Sequence, residues 1–242
     1  GTTTGVGGVN LVNFLRGDRS NEGSTSTAYY VPRTHVLGDI VNSQSVYVAA
    51  PTRSYSDSGY SSFKSSQSSR TAMVYVGAND GMLHGIKAQG TNGGIPVLSY
   101  LPSPMLSRMA AIGVDSTQII AGMDGSPFVG DVLTGTSGSY VWKSYLFSSL
   151  GRGARAFYAL DVTDPTTFNE SNAADIYKWM FSSSDDSDLG YAIGDHQIHP
   201  SSNQATPIVR MNNGSYAVLL PNGPGSSAGK AFVFVLFVNG PS

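Results

Sequence analysis

The sequence contains no cysteine and few charged residues. Without cysteine the chain has no disulfide framework, no thiolate zinc site and no cysteine nucleophile, and cysteine usage cannot indicate its redox compartment. Charged residues make up 12% of the chain, about half of the roughly 25% that is usual in soluble domains. The formal net charge is only −2. Because no basic stripe is present to neutralise phosphates, we expect neither a nucleic-acid partner nor electrostatic binding to a membrane surface.

Long apolar runs are also missing from the sequence. No segment approaches the ~18 consecutive apolar residues of a membrane span, so we expect no transmembrane segment. The first residues, GTTTGVGG, lack the charged and apolar regions of a signal peptide. We therefore expect a mature or internal segment of a longer protein, in which residues 1–242 are part of a single domain.

Glycine (29 residues) and serine are abundant between short segments of alternating apolar residues. Such alternation, with β-branched and aromatic residues, predicts strands. The predicted strands span 45–49, 72–77, 82–88, 128–133, 140–147, 155–162, 177–181, 215–220 and 230–238. The clearest pair is a hairpin over 71–88, in which Asn79, Asp80 and Gly81 supply positive-φ turn positions. One short helix is predicted near 103–111, with Ser103 as its N-cap and Pro104 at its first position.

A weak internal repeat appears when the chain is aligned at Lys87, Asp161 and Phe237, which are 74 and 76 residues apart. In each copy a strand is followed by a turn containing Gly or Pro, which indicates a radial or stacked β architecture. Each period would hold either one four-stranded blade with long loops or nearly two blades. We predict an all-β protein with a β-propeller fold that is incomplete in this chain, because three units do not close a ring of about four to eight blades.

Two kinds of segment carry opposite signals about burial. The serine-rich stretches at 54–69 and 182–187 contain too few apolar residues to bury, so we predict long surface loops. The last predicted strand, AFVFVLFV, is apolar on both faces. This pattern is expected of a strand buried between neighbouring sheets rather than of a free edge.

Six blocks of sequence, in order along the chain, resemble the PilC/PilY family of type IV pilus tip-associated proteins. They are LVNFLRGDRS (11–20), VLGDIVNSQSVYV (36–48), VYVGANDGMLH (74–84), MDGSPFVGDV (123–132), FYALDVTDP (157–165) and DLGYAIG (188–194). The resemblance implies the quinoprotein-like β-propeller of that family's C-terminal domain and a non-enzymatic role. The family repeat places an acid after the strand, and here Asp161 keeps it whereas Lys87 and Phe237 do not.

The same resemblance implies a location and partners. Members of this family sit at the pilus tip or outer-membrane surface of Gram-negative bacteria, promote pilus biogenesis and attach the cell to host cells or abiotic surfaces. The implied partners are the minor pilins of the tip complex. The family also resembles a calcium-binding group, so Ca²⁺ is an expected cofactor of the family. Its acidic loop is expected downstream of the last strand, and no cofactor is expected within residues 1–242.

Two groups of charged residues are candidate sites. Arg16, Gly17 and Asp18 could present a cation and a carboxylate on a glycine turn, the arrangement by which RGD loops engage a receptor-bound metal ion. The alternative is a structural role for Arg16 and Asp18, for example in an ion pair. Asp185, Asp186 and Asp188 could supply oxygens to Ca²⁺, but the D-x-[DN]-x-[DN]-G alternation of a calcium loop is missing, and the alternative is a solvated acidic turn.

Two further patterns are interpreted as non-catalytic. His196 and His199 lie three apart, so in an extended segment they point to opposite faces and do not form a metal site. Residues 225–229 match G-x-S-x-G around Ser227, but an apolar strand follows where a nucleophile elbow requires a helix. Two alternatives to the pilus function remain open: a quinoprotein-type propeller dehydrogenase, and a structural component of an extracellular filament.

Overall fold

Three antiparallel sheets follow one another along the chain in the computed structural model, which describes residues 8–25, 29–114, 121–136, 138–193 and 207–241. The first sheet has the order β1 (Val46–Val48), β2 (Met73–Gly77), β3 (Leu83–Lys87), β4 (Pro96–Tyr100). The middle sheet has the order β5 (Phe128–Thr134), β6 (Val141–Ser149), β7 (Ala156–Asp161), β8 (Tyr177–Ser182). The third sheet contains, within the described residues, β9 (Ile208–Arg210), β10 (Tyr216–Pro221) and β11 (Val233–Phe237), with β10 in the centre. Every strand except β4 and β9 was predicted from the sequence.

The internal repeat corresponds to one sheet per period. Lys87 ends β3, Asp161 ends β7 and Phe237 ends β11, and each of these is the third strand of its sheet along the chain. The alternative of nearly two blades per period is therefore wrong. In each sheet, neighbours along the chain are also neighbours in space, as expected of propeller blades.

The middle sheet is covered on both faces. On β7, Phe157 and Ala159 belong to a core shared with the third sheet, whereas Tyr158 and Leu160 belong to a core shared with the first sheet. This alternation follows from the two-residue period of a strand. The sheets therefore stack face to face, and the sequence of the middle sheet is apolar on both sides for that reason.

The predicted hairpin over 71–88 is confirmed, with one correction to its turn. β2 and β3 pair antiparallel from Met73 opposite Lys87 to Gly77 opposite Leu83. Gly81 has a positive φ of 84°, but no residue other than glycine does so among the described residues, so the expectation for Asn79 and Asp80 is wrong. A side chain can brace the turn instead, and Oδ1 of Asp80 accepts a hydrogen bond from the backbone N–H of Met82 at 3.1 Å.

Four short α-helices are described, and the sequence predicted one of them. They are α1 (Gly8–Leu15), α2 (Tyr60–Ser66), α3 (Leu106–Val114) and α4 (Ala173–Ile176). The predicted helix near 103–111 is confirmed as a 3-10 turn, Ser103–Met105, followed by α3. Its cap is Pro102 and not Ser103, and no side chain caps it. None of the helices in the described ranges is long and apolar enough to cross a membrane.

The prediction that 54–69 is a surface loop is wrong in its central part. Tyr60 and Phe63 lie one helical turn apart on α2, and both are buried. The ring of Tyr60 packs edge-on against Trp142 at 4.7 Å between centroids. Two aromatic residues with helical spacing are enough to anchor a serine-rich segment, because each buries a large apolar area.

The expectation that the last strand lies between neighbouring sheets concerns the complete propeller, so it stays a prediction for this incomplete one. In the part of the chain that the structure describes, β11 lies at the edge of the third sheet. Leu236 is buried, but Val233 and Val235 are 66% and 43% exposed. The inward face of β11 packs on the core, whereas its outward face has no covering layer in the described residues.

Candidate functional site

The Arg16, Gly17, Asp18 sequence forms the C-terminal cap of α1. The backbone N–H of Gly17 donates to the carbonyl of Phe14, and that of Asp18 donates to the carbonyl of Asn13, both at 2.9 Å. These two bonds, with a φ of 106° at Gly17, are the Schellman arrangement that ends helices at glycine. Gly17 is therefore explained by its structural role.

The two charged side chains of this turn bond different residues. A guanidinium nitrogen of Arg16 donates to the carboxylate of Glu170, although the two residues are 154 positions apart. Oδ1 of Asp18 accepts from the backbone N–H of Ser20 at 2.7 Å, and this hydrogen bond lowers the pKa of the Asp18 carboxyl. Both side chains are exposed. Arg16 therefore forms an ion pair, with Glu170 as its partner and not Asp18. Receptor binding by Arg16, Gly17 and Asp18 stays a prediction.

Arg33 contacts this turn through its guanidinium, and no pattern in the sequence indicated this role. Its guanidinium donates to the carbonyls of Phe14 at 2.8 Å and Asp18 at 3.2 Å, and it stacks over the Phe14 ring at 3.6 Å from the centroid. It also pairs with Glu22 at 2.7 Å. Although burial raises the pKa of the Glu22 carboxyl, hydrogen bonds from the backbone and side chain of Arg33 lower it below its ordinary value. The end of α1 is therefore held in one conformation.

The acidic turn uses its carboxylates for separate local bonds. Oδ2 of Asp185 accepts from the backbone N–H of Ser182 at 2.7 Å, and Oδ1 of Asp186 accepts from the backbone N–H of Asp188 at 2.9 Å. Oδ1 of Asp188 accepts from Ser227 at 2.8 Å and from the backbone N–H of Ala228 at 3.0 Å. No group of three or more His, Cys, Asp or Glu side chains that could hold a metal ion occurs in the described ranges. Ca²⁺ binding at Asp185, Asp186 and Asp188 stays a prediction.

Ser227 lies in the turn between β10 and β11, and the element that follows it in the described residues is the strand β11 and not a helix. Its hydroxyl contacts Asp188 and the hydroxyl of Ser187. The strand-to-helix context of a nucleophile elbow is thus missing, as the sequence indicated. His196 and His199 lie outside the described residues.

His84 belongs to a buried polar network around the β2–β3 turn. One ring nitrogen lies 2.8 Å from Oδ2 of Asp80, and the other lies 3.2 Å from the Ser99 hydroxyl. Oδ2 of Asp80 also accepts from the backbone N–H of Gly38 at 2.9 Å. His84 is 7% exposed. The network joins the segment before β1 to the first sheet, so His84 has a structural role there.

Two buried carboxylates join segments that are distant in sequence. The side-chain amide of Asn42, before β1, donates to both carboxylate oxygens of Asp124, before β5, at 3.0 and 2.9 Å. On β5, Asp131 accepts from the hydroxyls of Tyr60 at 2.7 Å and Ser144 at 2.6 Å. Both aspartates are buried. The sequence reasoning missed them, although an isolated acid inside an apolar strand such as FVGDVL indicates a buried, hydrogen-bonded carboxylate.

Comparison with known proteins is consistent with this architecture. Residues 37–238 match the family model described as the PilY1 β-propeller domain. The chain belongs to this family. The match covers most of the chain, and it confirms both the resemblance seen in the six sequence blocks and the β-propeller fold.

Individual PilY1 relatives agree with the family assignment. The chain is 35% identical over 240 residues to a type IV pilus biogenesis factor PilY1 homolog of Xylella fastidiosa, covering 93% of this chain and 15% of the relative. It is 33% identical over 241 residues to the type IV pilus biogenesis factor PilY1 of Pseudomonas aeruginosa, covering 95% of this chain and 18% of the relative. The chain therefore spans less than a fifth of the length of either relative.

A solved PilY1 structure supports the same fold. The crystal structure of the Pseudomonas aeruginosa PilY1 C-terminal domain is similar to this chain with a TM-score of 0.55 and 30% identity. The similarity covers 75% of this chain and 30% of that domain.

Proposed function

We propose that this domain serves type IV pilus biogenesis as a non-enzymatic module. The observation that carries the proposal is the match of residues 37–238 to the PilY1 β-propeller domain, together with relatives named as type IV pilus biogenesis factors. Buried and partly buried polar groups support a scaffolding role, because Asp80, Asp124 and Asp131 each bond segments that are distant in sequence.

The finer part of the proposal concerns location and contacts. We infer that the domain acts at the pilus tip on the outer surface of a Gram-negative bacterium, where it contacts minor pilins and takes part in attachment to host cells or abiotic surfaces. Low charge and abundant serine and glycine fit a surface whose contacts are made by loops on a rigid scaffold. Arg16 and Asp18 are exposed at the end of α1, and a contact there would compete with their bonds to Glu170 and Ser20.

The test removes the domain from the full-length protein in its own bacterium. We expect deletion of residues 8–241 to reduce the pili recovered from the cell surface by shearing, while the amount of pilin in the cells stays unchanged. Immunoblotting must show that the shortened protein is still made. Normal surface piliation with the shortened protein present would refute the biogenesis role.

Adhesion and tip location need separate measurements. Attachment is measured per surface pilus, so that a loss of adhesion is distinguished from a loss of pili. We expect attachment to fall when the domain is missing, and equal attachment would refute the adhesive role. Gold-labelled antibodies against the domain should mark pilus ends, and labelling along the shaft would contradict the tip location.

A further inference from the structure

A cavity of about 410 Å³ opens between the end of α1, strand β4 and the segment that leads into β8. Its volume falls within the ~300–1,000 Å³ typical of small-molecule sites. The wall is mainly apolar and includes Leu15, Val97, Leu101, Phe168 and Ile176. An apolar pocket of this size with a few polar groups is the usual form of a ligand site.

Two aromatic rings form part of this wall. Tyr100 and Tyr177 line the cavity, and their rings are stacked at 6.3 Å between centroids with an interplanar angle of 29°. Tyr100 is further held against the buried ring of Tyr158 at 5.1 Å. These contacts fix the wall in place, so a ligand would meet a preformed surface.

The cavity also has charged groups among its lining residues. Arg16 and Glu170 both line it and pair with each other, and their side chains are 55% and 80% exposed. Because both groups reach solvent, they lie at the rim of the cavity and not in its interior. The side chain of Asn169, which also lines the cavity, is already hydrogen-bonded to the Ser171 hydroxyl and to the carbonyl of Thr167.

Arg16 and Glu170 differ in how readily each could bind a ligand. Glu170 is the more exposed of the pair, so its carboxylate can return to water at little cost when the ion pair opens. Arg16 would then present a guanidinium, which binds carboxylates with two parallel hydrogen bonds. Glu170 thus occupies the position that a ligand carboxylate could take.

We propose that this cavity binds a monocarboxylate with an apolar body. The ligand carboxylate replaces that of Glu170 on Arg16, and the apolar body fills the cavity against Tyr100 and Tyr177. The site is distinct from the proposed role in pilus biogenesis and does not depend on it. An aliphatic acid and an aromatic acid share the required chemistry, so the experiment includes both.

The test measures binding of decanoate and of phenylpropanoate to the full-length protein by isothermal titration calorimetry, below the concentration at which decanoate forms micelles. We expect saturable binding of at least one acid, and the stronger of the two identifies the body that the cavity prefers. Decanol and decylamine serve as neutral and cationic controls and should bind much more weakly. No binding of either acid, or equal binding of decanol, would refute the proposal.

Two variants that break the same ion pair should have opposite effects. Arg16→Gln should lower the affinity for the acid by roughly tenfold, because it removes a charged hydrogen-bond donor. Glu170→Gln should raise the affinity, because it removes the competing carboxylate. A purely structural ion pair would move both variants in the same direction, and that result would overturn the proposal.

Two control variants test whether the ligand binds at Arg16 and whether it occupies the cavity. Arg19→Gln removes an exposed arginine of the same segment whose guanidinium bonds the carbonyl of Thr34, and it should leave the affinity unchanged. Ala173→Phe places a large side chain at a position that lines the cavity, and it should abolish binding of the acid. Undiminished binding to Ala173→Phe would show that the ligand lies elsewhere.

Discussion

The buried carboxylate of Asp131 should be one of the most sensitive positions for the stability of this domain. Asp131 is 5% exposed, and it accepts from Tyr60 on α2 and from Ser144 on β6. A guanidinium nitrogen of Arg70 donates to the same Ser144 hydroxyl at 2.7 Å. Burial lowers the pKa of Arg70, and the Asp131 carboxylate acts in the opposite direction. The network therefore joins α2, the segment before β2 and the middle sheet.

The change Asp131→Asn keeps the shape of the side chain but removes its charge. Arg70 then lacks its balancing carboxylate, and the hydroxyl of Tyr60 loses a charged acceptor. Asp131 and Arg70 are joined through the Ser144 hydroxyl, so the cost is that of weakening the two hydrogen bonds that the carboxylate accepts, up to about 3–6 kcal/mol in total. For a domain of this size, that corresponds to a fall in Tm of up to roughly 6–24 °C.

Scanning calorimetry, with near-ultraviolet circular dichroism as a second probe, measures the effect. Tyr60→Phe should cost about 1.5–3 kcal/mol because it removes one hydrogen bond to a charged acceptor. In a double-mutant cycle its effect should be smaller when Asp131 is already Asn. The exposed Asp175→Asn is the control and should stay within about 0.5 kcal/mol of the wild type. If Asp131→Asn is no more destabilising than this control, the proposed network does not stabilise the fold.

Three further predictions follow from other parts of the structure. Burial raises the pKa of Tyr75 and Tyr158, so the folded state holds their phenol protons more tightly than the unfolded state does. The contribution of these two groups to the free energy of unfolding should be constant below about pH 10 and should fall by about 1.4 kcal/mol per pH unit per tyrosine above it. Tyrosinate absorbance should then appear together with unfolding, and full ionisation of a folded protein would contradict this. Ser227→Ala should leave ester hydrolysis at background and change stability by at most about 0.5 kcal/mol, whereas labelling of Ser227 by a fluorophosphonate would contradict the non-catalytic interpretation. Residues 1–242 alone should self-associate through the β11 edge. Val233→Lys should reduce this self-association, measured by light scattering, more than the control Val9→Lys, which changes a valine that is 74% exposed on α1. Equal effects of the two variants would contradict self-association through this edge.

Local patterns were sufficient to predict most strands and the blade repeat. Each third strand ends at a turn rich in Gly or Pro, and that change of composition is visible without any long-range information. Asp161 shows what the family acid does at this point: its Oδ1 accepts from the backbone N–H of Thr163 at 2.9 Å, and its Oδ2 pairs with Lys143 at 3.0 Å. Because Lys87 and Phe237 end equivalent strands without an acid, the carboxylate supports this turn but is not required for it.

Contacts between residues that are distant in sequence could not be predicted in this way. Arg16 and Glu170 are 154 positions apart, and neither stretch of sequence indicates the other. The exposure of β11 had the same cause, because an apolar strand does not reveal whether a further layer covers its outward face. Asp131 lies between these cases: the apolar strand around it is a pattern from which its burial could have been predicted, although it was not, whereas its partners on α2 and β6 could not be predicted from any local pattern.

Two of the proposed interactions involve Arg16, receptor binding and binding of a carboxylate in the cavity, and only the first requires Asp18. Receptor binding through an RGD turn requires the Asp18 carboxylate as a metal ligand, whereas the cavity requires only the guanidinium of Arg16. The carboxylate of Asp18 bonds the backbone of Ser20 and is not among the residues that line the cavity. Asp18→Asn should therefore leave decanoate binding unchanged and reduce attachment of cells only if the receptor hypothesis holds. Loss of attachment in both Arg16→Gln and Asp18→Asn, with loss of decanoate binding only in the first, would show that one arginine serves two sites. A loss of decanoate binding in Asp18→Asn would instead mean that the whole helix end had moved, and the separation of the two sites would be wrong.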